Sequence, residues 1–133
     1  AVMAHANGAE TVLVAAEAGV DSVEHGAYLS TQALVAMAEA GTIWVPTLST
    51  IGNLRGTGRF SESDVEQILA SAQARVAQFH AMGGYLAPGS DAGAYAVFHG
   101  TGGLDELRLL SEALGPAAEA ALDRGISAIR QRF

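Results

Sequence analysis

The hexapeptide Asp21-Ser22-Val23-Glu24-His25-Gly26 constrains this chain more than any other stretch. It reads as a very short buried strand, Ser22 to Glu24, ending on a histidine and a turn glycine. Upstream, Val2-Met3-Ala4-His5-Ala6-Asn7-Gly8 has the same shape. Downstream, Tyr85-Leu86-Ala87-Pro88-Gly89-Ser90-Asp91-Ala92-Gly93 repeats it with an aspartate in the histidine's place. In a parallel barrel all strand ends emerge on one face, so the three side chains would converge there. Imidazole nitrogen and carboxylate oxygen suit zinc and similar metals, which makes His5, His25 and Asp91 a candidate ligand set.

The intervening segments are helical in pattern. Thr11 to Ala18 reads as a helix, with Val12, Ala15, Ala16 and the following Gly19 at helical spacing and Gly19 able to terminate it. Ser30 is a suitable N-cap for a helix from Thr31 to Ala40, closed by Gly41. Thr42-Ile43-Trp44-Val45-Pro46 is a third strand, stopped by proline. Thr47 to Phe60 reads as a long polar loop, and Ser61 caps a helix from Glu62 to about Met82. Tyr85 to Ala87 is a fourth strand, Leu104 to Leu114 a further helix, and Ile126 to Arg132 a basic terminal helix or turn. Alternation of this kind implies α/β architecture: parallel β/α units, with helices outside the sheet. Four such units make half of an eight-stranded TIM (β/α)8 barrel, whose usual length is about 250 residues. An open doubly wound sheet of four strands is the alternative.

Charge excludes some partners. The net charge of -7 argues against nucleic acid and against an anionic membrane surface. No apolar run reaches the roughly 20 residues of a spanning helix, and no leader pattern opens the chain, so a cytoplasmic location is expected. Cysteine is absent, which removes thiolate ligands. All seven basic residues are arginine.

At four of these segments the chain resembles the amidohydrolase superfamily, in particular its imidazolonepropionase-like and Xaa-Pro dipeptidase-like members. They are Ala4-His5-Ala6-Asn7-Gly8, Asp21 to Gly26, Val45-Pro46-Thr47-Leu48 and Gly89-Ser90-Asp91-Ala92-Gly93. Glu106-Leu107-Arg108-Leu109-Leu110 is similar to the helix after the last barrel strand. The resemblance implies that residues 1–133 form the C-terminal half of such a barrel domain, strands 5–8. It implies one or two divalent ions, usually zinc, in the complete enzyme. His5 and His25 would be ligands, and Asp91 would bind metal and accept the proton of the attacking water. The family's His-x-His pair and carboxylated lysine are both missing, because the chain has no His-x-His and no lysine. The isolated chain is therefore expected to be inactive without further ligands.

The reaction so implied is hydrolysis of an amide, peptide or cyclic amide C–N bond in a small-molecule amide or dipeptide. A deaminase of the same superfamily, and a non-catalytic half-barrel that binds a partner or itself, are the alternatives. His99 and Arg55 are candidate substrate contacts, with a solvated loop as the competing role for each. The expected partners are the N-terminal half of the barrel or a second copy of the chain. Ile43, Trp44, Val45 and the first strand are expected to be left uncovered by the missing half.

Overall fold

The four strand-like stretches do form strands, and their register sets the geometry of everything above them. The computed structural model describes residues 1–133. The strands are β1 (Met3–Ala6), β2 (Ser22–His25), β3 (Ile43–Val45) and β4 (Tyr85–Leu86), in one sheet of order β1-β2-β3-β4. All three pairings are parallel. A doubly wound sheet reverses its strand order part-way, and this one does not.

The first strand begins at Met3, although the Val2 carbonyl ahead of it already accepts the amides of Asp21 and Ser22. Pairing then continues through His5 opposite Glu24. Period-two alternation divides the sheet into two faces. Ala6, Val23, Trp44 and Leu86 lie on one face and share a core with helical residues such as Val12, Leu34, Met37 and Phe79.

Those residues belong to α1 (Ala9–Glu17), α2 (Thr31–Ala40) and α4 (Glu62–Ala81). Ser30 caps α2 by accepting the Ala33 amide at 3.2 Å, and Gly41 ends it in the left-handed region. Ser61 caps α4 in the same way. The segment expected as a loop from Thr47 to Phe60 contains a single helical turn, α3 (Ser49–Gly52), held against α5 (Gly102–Leu114). A Cβ at Gly52 would meet Leu109 of α5 at 2.6 Å, so the absence of a side chain permits that approach.

After α5, Pro116 sits in a 3-10 turn, Gly115–Ala117, and leads into one continuous helix, α6 (Ala118–Arg132). This helix changes sides. Its early residues Ala118, Ala121 and Leu122 join the main core, while Ala128 and Ile129 lie with Ile43, Val45, Tyr85 and Ala87 on the opposite face of the sheet. It crosses beside β4 at Gly125, where a Cβ would collide with the Leu86 carbonyl. Arg132 fastens its end by donating to the carbonyls of Asp21 and Gly41 at 2.9 and 2.7 Å.

The expectation that Ile43, Trp44 and Val45 lie uncovered is corrected: all three are buried, Ile43 and Val45 beneath the end of α6 and Trp44 in the main core. At the start of the first strand it holds, with Met3 and the preceding Val2 more than half exposed, while Ala6 is buried. No helix is long and apolar enough to cross a membrane.

Candidate metal centre and cleft

His5 and Glu24 are register partners, so His5 projects from the face opposite the main core. In a regular strand His25 would follow Val23 to the helix-covered face. It does not, because its φ of 66° takes it out of the extended region at the strand's last residue. The two imidazoles then meet edge to face, with ring centroids 4.7 Å apart. Thr47, just past β3, has φ 50°, an outlier for a β-branched residue. Its Oγ1 is hydrogen-bonded to His25 Nδ1 at 2.9 Å, which leaves Nε2 free of that bond. Asp91, past β4, has φ 53°. Three strand ends thus carry a non-glycine residue in a sparsely populated conformation, a pattern that marks functional sites when the surroundings enforce it.

His5, His25, Thr47 and Asp91 line one cleft of about 760 Å³. Trp44 closes its floor, with its indole N–H donating to the His25 carbonyl at 2.8 Å. Its side wall is α4, which presents Gln67, Ser71 and Arg75 at intervals of four residues, the spacing of one helical stripe. Asn7 supports the rim by accepting the Ala27 amide at 2.9 Å.

The three candidate ligands share the cleft without closing into a metal cage. No group of three His, Asp or Glu side chains stands close enough to hold one ion. Two adjacent imidazoles, donors of a kind that divalent metals use, and one carboxylate line the same cleft.

The two candidate substrate contacts are placed differently. Arg55 does not line the cleft; its Nη2 donates to Glu66 at 2.8 Å and its Nε lies 2.7 Å from the same carboxylate. That guanidinium holds the Glu66 carboxyl below its usual range. His99 is exposed on the loop after β4, near Gly93, and also lies outside the cleft lining. Arg75, which the sequence does not single out, is the cleft's cation. It donates to Thr31 and Gln78, both neutral, and forms no ion pair. The spacing of Gln67, Ser71 and Arg75 was visible in the sequence; which face of the helix met the cleft was not.

No family model and no curated protein matches this chain. Solved structures do. A Xaa-Pro dipeptidase, crystallised with methionine in its active site, is 28% identical with a TM-score of 0.73. It is matched over 97% of this chain and 34% of its own. An uncharacterized protein is 26% identical with a TM-score of 0.72, over 97% of this chain and 33% of its own. The ochratoxinase of A. niger, 24% identical with a TM-score of 0.71 over 96% of this chain and 29% of its own, shares the fold. The chain is structurally similar to amidohydrolase-type hydrolases and spans about a third of their length.

Proposed function

We propose that this chain supplies strands 5–8 of a TIM (β/α)8 barrel in a metal-dependent hydrolase that cleaves a C–N bond in a dipeptide or related small amide. The observation that carries the reading is the contact of His5 with His25 at adjacent strand ends, with Asp91 in the same cleft. Likeness to a Xaa-Pro dipeptidase supports the substrate class.

In this reading His5 and His25 hold a divalent cation, zinc by donor preference, through imidazole nitrogens. When bound, such an ion supplies Lewis acidity, polarising a carbonyl and making water acidic enough to react near neutral pH. Thr47 fixes the orientation of the His25 ring. Asp91 is the general base that takes a proton from water and returns it to the departing nitrogen. Arg75 takes the role that Arg55 cannot while paired to Glu66, holding a substrate carboxylate against the α4 wall.

A half-site binds weakly and needs further donors, which the N-terminal half of the barrel or a second copy would bring. The non-catalytic half-barrel is the second reading, favoured by the lack of a third nearby ligand. Titration with cobalt(II), read by its visible absorption, separates the two. The hydrolase reading expects cobalt binding that weakens in His25→Ala. Adding a barrel half that carries the missing ligands should then give Xaa-Pro dipeptide hydrolysis, abolished in Asp91→Asn. No cobalt binding, or unchanged hydrolysis in Asp91→Asn, would overturn it.

A further inference from the structure

Glu106 is the chain's one fully buried charged residue, and the proposed reaction makes no use of it. Its Oε2 accepts the Ser49 amide at 2.7 Å, while Oε1 has no partner. An apolar side chain of similar size would fill the space without the desolvation cost of a half-satisfied carboxyl. The explanation lies in what Ser49 holds.

Ser49 joins the two loops that carry the cleft's functional groups. Its hydroxyl donates to the Ser90 carbonyl at 2.9 Å, immediately before Asp91. Two residues ahead of Ser49 stands Thr47, whose left-handed conformation brings Oγ1 to His25. A β-branched residue does not keep that conformation unless its neighbours are anchored. α5 is the anchor. From the same turn as Glu106, Asp105 accepts Asn53 Nδ2 at 3.0 Å, and that amide also donates to the Ala96 carbonyl in the loop after β4.

We propose that Glu106 is the positioning residue of the cleft: by holding the Ser49 amide it fixes the loop after β3 so that Thr47 meets His25 and Ser49 restrains the Ser90–Asp91 turn. The meaning for catalysis rests on the hydrolase reading; the effect on His25 does not. Burial raises the Glu106 pKa to about 7, opposed by the hydrogen bond from the Ser49 amide, so the carboxyl can hold the amide in either protonation state.

The test is nuclear magnetic resonance on the chain as it stands, following the ring nitrogens of His25 and the exchange of the Ser49 amide. His80, half-buried in α4 with no partner for its Nδ1, is the internal control. Glu106→Leu removes the acceptor, Glu106→Gln restores one, and Glu106→Met removes it with an unbranched side chain closer to the original in shape. In Glu106→Leu, Ser49 exchange should accelerate by roughly tenfold, the equivalent of one lost hydrogen bond. The His25 Nδ1 resonance should shift in both Glu106→Leu and Glu106→Met, with His80 unmoved and Glu106→Gln close to wild type. Should Glu106→Leu fail to fold, Glu106→Met decides by the same resonance. His25 unmoved in the folded variants, or His80 shifting equally, would overturn the proposal. Cobalt(II) binding by the wild-type chain is measured separately, so a failed metal reading leaves the His25 result interpretable.

Discussion

Gly26 shows how narrow the tolerances around His25 are. Its φ is 62°, and a Cβ there would meet Trp44 Nε1 at 2.6 Å, the same atom that donates to the His25 carbonyl. Gly26→Ala should therefore cost a left-handed alanine and a strained or lost hydrogen bond, about 2–3 kcal/mol together. Urea denaturation followed through the single tryptophan measures it, and a loss below about 0.5 kcal/mol would contradict the assignment. Glu106 makes a prediction about pH. Its folded pKa of about 7 lies above the ordinary 4.5. The folded state thus binds the proton more tightly, and this contribution is complete below pH 4.5 and lost as pH rises through 7. The difference is worth about 3 kcal/mol at most. Glu106→Gln should remove that fall between pH 5 and 8, and an unchanged profile would place the titration elsewhere. In a completed enzyme, Arg75→Gln should raise KM for carboxylate-bearing substrates about tenfold or more with kcat less affected, as expected for a group that binds ground and transition states alike.

At the level of elements, α6 is where sequence and structure part. The strand-end residues His5, His25 and Asp91 were legible because each follows a short apolar run and precedes a nearby glycine. The parallel arrangement was legible from the alternation with helices. Thr47, Glu106 and Arg75 were not, because their roles depend on a left-handed turn, a tertiary hydrogen bond and the rotation of α4, none of which leaves a local pattern. Nor was the crossing of α6 beside β4, although Gly125 is its condition: a Cβ there would collide with the Leu86 carbonyl, a backbone atom that cannot step aside. Gly125→Val should lift the C-terminal half of α6, uncover Ile43 and Val45, and cost about 3 kcal/mol. A dye that binds exposed apolar surface should then fluoresce with the variant and not with the wild type. Retained Arg132 contacts and an unchanged melting curve would mean that the helix can shift without loss.

For the whole molecule the consequence is an asymmetry between the two edges of the sheet. α6 lies beside β4, while β1 pairs only with β2. The carbonyls of Val2 and Ala6 accept from β2 and its turn, so by alternation the amides of Met3 and His5 point to the open side. Val2 and Met3, at 56% and 55% exposed, add apolar surface to that edge. An uncovered edge strand is a template for another strand. Because only one edge is free, self-pairing through it closes after two copies, as an isologous dimer rather than a filament. Light scattering at low micromolar concentration should accordingly find a dimer. Met3→Pro takes away the outward amide and spares the bonds to β2, since proline is tolerated on an edge. It should return the chain to a monomer with little change in melting temperature. Gly125→Val, by freeing the second edge, should move the chain the other way, toward larger assemblies. A wild-type monomer, or a Met3→Pro dimer, would show that β1 is protected by something other than pairing.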